Sequence, residues 1–168
     1  MRYFLIAVLF SACACHPPLG VTDEEHALLK NFFGSALDVD KIQQVEYDGT
    51  ENECIGNVIF WPAEQDYGAD RPSRYNILIH EASHVVQHQH HVDSPNTHTY
   101  QYRLLPEKHI LLYEIEQQAS LFQDLYSYTD WEYAEYYWSS RCLDCAAIGL
   151  EESLAIMRRR GAEFRMIP

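Results

Sequence analysis

Apolar residues recur along the chain at two spacings, and the change between them lays out the elements. A helical rhythm opens with Leu28, Leu29, Phe32 and Phe33. Thr22 and Glu25 precede it at the spacing of a capping box, in which each side chain binds the other's backbone N–H. This predicts a helix from about Thr22 to Phe33, stopped by Gly34. Ala36 to Val39 reads as a link. Lys41 to Tyr47 reads as an extended segment closed by Asp48-Gly49, and Glu51 to Glu53 as polar loop. Asn57 to Trp61 is a strand stopped by Pro62. Paired with the 41–47 segment, it makes a small sheet.

The helical rhythm then returns. Pro72 suits the first turn of a helix over about Ser73 to Gln89, with Leu78, Ala82, Val85 and Val86 turned to the core. His90 to Thr99 is loop, and Pro106 opens a long helix to about Tyr126. Its apolar stripe is Ile110, Leu111, Ile115, Leu121, Phe122 and Leu125. A second capping box, Thr129 with Glu132, precedes a short aromatic helix ending near Trp138. Asp144 caps a last helix that crosses Gly149 and ends at Met157 to Arg160, before Gly161. The expected fold is α+β, helix-dominated, with a small β-sheet beside the central helix.

That central helix carries the candidate chemistry. His80-Glu81-Ala82-Ser83-His84 is an H-E-x-x-H motif inside an apolar run. One helical turn puts His80 and His84 on the same face, where two imidazoles can share one zinc ion, with Glu81 beside it as general base. Catalytic zinc takes a third protein ligand, and two residues compete for the role. His90 completes a metzincin-like H-E-x-x-H-x-x-x-x-x-H, but Gln87 stands where such chains turn on glycine. Glu116, on the following helix, would complete a two-histidine, one-glutamate site, and Glu114 would point away from it. His98, Tyr100 and Tyr102, between the two helices, are candidates to stabilise a developing oxyanion. The Asn57 to Trp61 strand is expected along the cleft, aligning an extended substrate by backbone pairing.

Several blocks together resemble a known family. Phe33-Gly34-Ser35-Ala36-Leu37-Asp38, Asn57-Val58-Ile59-Phe60, Ile79 to Gln87, and Tyr113 to Ala119 with Asp124 are similar, in that order, to a bacterial family of zincin-like metallopeptidases. Its members are often encoded beside Vgr and Rhs proteins of secretion or contractile injection systems. The resemblance spans roughly residues 25 to 126. It implies a glutamate-type zincin, with zinc held by His80, His84 and Glu116 and with Glu81 as the base. That favours Glu116 over His90. More distant members of this class carry E-x-x-A-D on the third-ligand helix. Here Glu116-Gln117-Gln118-Ala119 is followed by Ser120 in place of the aspartate, which alters the support of a ligand histidine.

Composition sharpens the picture. The 168 residues carry a net charge of −13, which excludes nucleic acid as a partner and electrostatic adhesion to anionic membranes. Arg2, the apolar run Tyr3 to Phe10 and Ser11-Ala12-Cys13-Ala14 read as a signal peptide over residues 1–14, ahead of one zincin-like domain over 20–168. Phe10-Ser11-Ala12-Cys13 also resembles a lipoprotein cleavage box, so membrane contact is expected only through a lipid anchor. Export is the expectation: periplasm, outer-membrane lipoprotein, or secretion. In an oxidising compartment Cys142 and Cys145 would close a local disulfide, or either would reach Cys54.

The expected function is zinc-dependent hydrolysis of a peptide or protein substrate, with a secretion-system or envelope partner. Two alternatives are an inactive zincin-fold binding module, marked by a fourth protein ligand, and a periplasmic metal-binding protein using the many histidines.

Overall fold

The computed structural model describes residues 20–64, 74–127 and 141–167. The expected leader and the expected aromatic helix with its Thr129 cap lie outside these residues.

The first helix, α1 (Asp23–Phe33), begins on the anticipated capping box: Thr22 Oγ1 accepts from Glu25 N, and Glu25 Oε2 accepts from Thr22 N. It ends at Gly34, whose φ of 61° suits glycine. Two single 3₁₀ turns, Gly34–Ala36 and Val39–Lys41, lead into strand β1 (Gln43–Tyr47).

Two further strands follow, β2 (Glu53–Ile55) and β3 (Val58–Pro62). The sheet order is β1-β3-β2, with β1 parallel to β3 and β2 antiparallel to it. The expected pairing of the first strand with the 57–61 segment is present, with Gln43 opposite Val58 and Tyr47 opposite Pro62. The polar 51–53 segment is not all loop, because Glu53 begins β2. Gly56, at φ 66°, permits the tight reversal into β3. β3 is therefore flanked on both sides and cannot align a substrate; β2 is the sheet's edge on that side.

Helix α2 (Arg74–Gln89) packs on β2 and β3 and lies along helix α3 (Ile115–Ser127). Leu78, Ala82, Val85 and Val86 are fully buried, as their spacing predicts. A polar knot sets the start of α2. Arg74 Nε donates to Glu25 Oε1 at 3.1 Å and its Nη2 to Gln44 Oε1 at 2.8 Å, while Gln44 Nε2 donates to Glu25 Oε2 at 2.9 Å. The same guanidinium lies 4.3 Å from the ring centroid of buried Trp61.

The helix carrying Glu116 starts nine residues later than Pro106 predicts. Residues 102–114 form a strap with one 3₁₀ turn, Ile110–Leu112. The strap's polar groups bond outward instead of up a helix. Tyr113 O accepts from Ser94 Oγ and Gln118 Nε2, Tyr113 Oη donates to Arg103 O, and Ile115 N donates to Pro95 O. Leu111 of the expected stripe is consequently exposed, while Ile110, Leu121 and Phe122 are buried.

The C-terminal region differs in two places. Asp144 does not cap by its side chain; its Oδ1 accepts from Leu104 N. Gly149, at φ 94°, splits the expected helix into α4 (Cys145–Ile148) and α5 (Leu150–Phe164). Gly161 lies inside α5 because α5 crosses α3 closely there: a Cβ at that position would sit 3.1 Å from Leu125 Cδ2. Phe33, Phe122 and Phe164 fill the core where α1, α3 and α5 meet. The whole is α+β and helix-dominated, with a small sheet beside α2. Among the described residues no helix is long and apolar enough to cross a membrane.

Candidate metal centre

His80, Glu81 and His84 project from the middle of α2, and Glu116 from the first turn of α3, where the helix dipole favours a carboxylate. His80, Glu81 and Glu116 are buried, and His84 is half-buried. His80 Nε2 and His84 Nε2 each lie 3.4 Å from Glu116 Oε2 and 3.3 Å from each other. A tetrahedral zinc ion with ligands at about 2.0–2.1 Å spaces its donors about 3.3–3.4 Å apart. The donor triangle therefore has the size of one face of that tetrahedron. These atoms form a zincin-like His-His-Glu cluster able to hold a metal ion.

The electrostatics follow from burial and proximity. Burial holds His80 below the usual imidazole range, against its contact with Glu116. Burial opposes the charged form of His84 too, but there the Glu116 and Glu81 carboxylates outweigh it and raise the pKa. Burial would raise Glu116; its contacts with the two histidines win and hold it well below the usual carboxylate range. Glu81 is pushed up to about 7 by burial, opposed by His84 and reinforced by Glu116 and Glu53. A carboxylate tuned near neutrality suits a general base.

One histidine is oriented by a chain of amides. His84 Nδ1 lies 2.8 Å from Gln87 Oε1. Gln87 Nε2 donates to Ile115 O at 3.0 Å and to Gln118 Oε1 at 3.1 Å, and Gln118 Nε2 donates to Tyr113 O at 2.8 Å. Backbone carbonyls only accept, so both amides have one orientation. Gln87 thus presents its oxygen to His84, whose Nδ1 carries the proton, leaving Nε2 as the free donor atom. His80 lacks such support: its Nδ1 is buried with no hydrogen-bond partner among the described residues. Ser120, at the position of the aspartate in E-x-x-A-D, has its Oγ buried with no hydrogen-bond partner among the described residues. Gln87 was legible as a polar residue one turn past His84 on the same face.

The competing third ligand lies elsewhere. α2 runs straight through Gln87, and the chain turns at His91, at φ 51°. That sends His90 away from the cluster, where its Nε2 donates to Ala36 O at 2.8 Å. Glu114 also points off, accepting from Thr97 Oγ1.

A cleft of about 690 Å³ opens over the cluster. Strand β2 forms one wall, and the segment from His91 to Tyr100 forms the other. Of the three oxyanion candidates, His98 and Tyr100 line this cleft, and the Tyr100 ring centroid lies 6.0 Å from that of His80. Tyr102 is buried outside it and donates to Asp124 Oδ2 at 2.6 Å. Cys54 lines the cleft from β2 and forms no disulfide among the described residues. Cys142 and Cys145 pair with each other.

Comparison with known proteins adds a setting. No family model and no solved structure matches the chain. Over 128 residues it is 27% identical to the type VI secretion system spike protein VgrG2b of Pseudomonas aeruginosa, an alignment covering 63% of this chain and 13% of that protein. The chain thus matches one segment of a much longer, secretion-associated relative, and it has its own His80-Glu81-x-x-His84…Glu116 cluster of zincin type.

Proposed function

We propose that this chain hydrolyses peptide bonds, with zinc held by His80, His84 and Glu116. The observation that carries the reading is the donor triangle beside Glu81 at the floor of an open cleft. Bound there, zinc would supply Lewis acidity, acidifying a water and polarising the carbonyl under attack. Glu81 takes the proton from the attacking water and returns it to the leaving amine. Gln87 keeps His84 in one tautomer throughout. Tyr100 and His98 face the reacting carbonyl as donors to the developing oxyanion. β2, as the sheet's edge on the cleft wall, pairs with the substrate backbone and fixes its direction.

The similarity to a spike protein supports a secretion-associated role, with the 1–14 leader directing export and an envelope or secretion-system protein as partner. The test is metal analysis combined with a peptide-library cleavage assay on the wild type and Glu81→Gln. Zinc in both proteins with cleavage only in the wild type supports the mechanism. Absence of zinc from both refutes it.

A further inference from the structure

Apart from its histidines (His80, His84, His88, His91 and His98), the cleft has a one-sided charge. Among the described residues its lining includes the carboxylates of Glu51, Glu53, Glu81, Asp93 and Glu116, and neither lysine nor arginine. A divalent ion on the cluster would neutralise Glu81 and Glu116. Glu51, Glu53 and Asp93 remain, all exposed to solvent and none in an ion pair among the described residues. They stand on opposite walls, the two glutamates at β2 and Asp93 beyond the end of α2. Glu81 itself is 95% buried and opens into the cleft, and its carboxylate makes no hydrogen bond among the described residues.

From this juxtaposition we propose that the cleft selects cationic peptides, with lysine or arginine side chains flanking the scissile bond seated against Glu51, Glu53 and Asp93. The inference rests on the hydrolytic reading above and adds the substrate class. Glu51 precedes β2 and Glu53 opens it, so both belong to the cleft's β2 wall. Ile55, 64% exposed, and Tyr100, 48% exposed, give apolar seats beside the carboxylates. A lysine or arginine stem lies on such surface while its charged head reaches a carboxylate. An acidic peptide entering between these walls meets like charge on both sides, so the arrangement rejects as well as attracts.

The test uses fluorogenic peptides identical except for Lys, Gln or Glu on either side of the scissile bond. The zinc-loaded wild type should show kcat/KM on the order of tenfold higher for the Lys peptide than for the Gln peptide at low salt. That ratio should collapse towards unity near 1 M salt, where screening acts within about 3 Å. Glu51→Gln with Glu53→Gln should lower the ratio several-fold, whereas Glu152→Gln, an exposed charge outside the cleft, should leave it unchanged. Equal or better cleavage of the Gln or Glu peptide, or a ratio untouched by the double variant, overturns the inference and spares the hydrolytic reading. If no peptide is cleaved, fluorescence anisotropy of a labelled, protease-inert D-lysine peptide on zinc-loaded Glu81→Gln decides. Salt-sensitive binding that the double variant loses supports the inference, and no binding refutes it.

Discussion

The carbonyl oxygen of Ile115 lies 3.0 Å from Nε2 of Gln87, and through that contact the backbone ahead of Glu116 orients the imidazole of His84. Truncating Gln87 to alanine should therefore have two effects. Zinc affinity should fall about 10- to 100-fold, the usual cost of losing a partner that orients a ligand. Stability should fall by about 1–3 kcal/mol, because Ile115 O loses its Gln87 donor and Gln118 Oε1 is left buried without one. Gln87→Glu separates the two. A carboxylate still accepts from His84 but cannot donate to Ile115 O, so zinc affinity should be retained while the melting temperature drops. Chelator competition and thermal denaturation read the two effects.

Glu116→Ala should leave a bidentate histidine pair and cost more zinc affinity than Gln87→Ala, beyond about 100-fold. His90→Ala should cost none, since that side chain bonds to Ala36 O. Isothermal titration with zinc on both variants checks the order. Equal losses would return His90 to the ligand set.

Asp124 gives a pH signature away from the cluster. Burial raises its pKa to about 6 from an ordinary 3.8, against the opposing effects of Arg141 and the Tyr102 hydroxyl. The folded state thus binds its proton more tightly than the unfolded chain does. The resulting stabilisation is fully present below about pH 3.8 and is lost as pH rises through about 6. Asp124→Asn does not titrate. The stability of that variant relative to wild type should therefore rise between about pH 4 and pH 7, by up to about 3 kcal/mol. Denaturant titrations across that range measure the slope, and a flat difference would contradict it.

Breaking the Cys142–Cys145 bond should cost less than breaking a disulfide that closes a long loop. A disulfide closing a loop this short removes about 2 kcal/mol of unfolded-chain entropy. Cys142→Ser with Cys145→Ser should lower the melting temperature modestly. It should raise amide exchange in the strap, where Leu143 N donates to Tyr102 O and Leu104 N to Asp144.

The parts of the molecule readable from sequence were those written in local chemistry. The Thr22–Glu25 capping box, the Gly34 stop and the apolar face of α2 each depend on neighbours within one or two turns, and each appears where its residues predict. The grouping of Glu116 with His80 and His84 needed a second helix, and family resemblance favoured it over His90 where spacing did not. What stayed hidden depends on distant partners. Tyr113 lies in the strap ahead of the helix and is held by bonds to Ser94 and Arg103, which no periodicity records. β2 is three residues long with a polar start, too short to show alternation, although Gly56-Asn57 before a strand was a hairpin signal. Gly161 reads as a helix stop until Leu125 is seen lying against it.

The disulfide's span of four residues has a consequence for what the bond adds to this chain. A link so local does not bring together parts that the chain must search for, since the main-chain bridge between Tyr102 and Cys142 already holds the segment in place. Closing the ring therefore tightens a segment that backbone pairing positions, a latch on a door already shut.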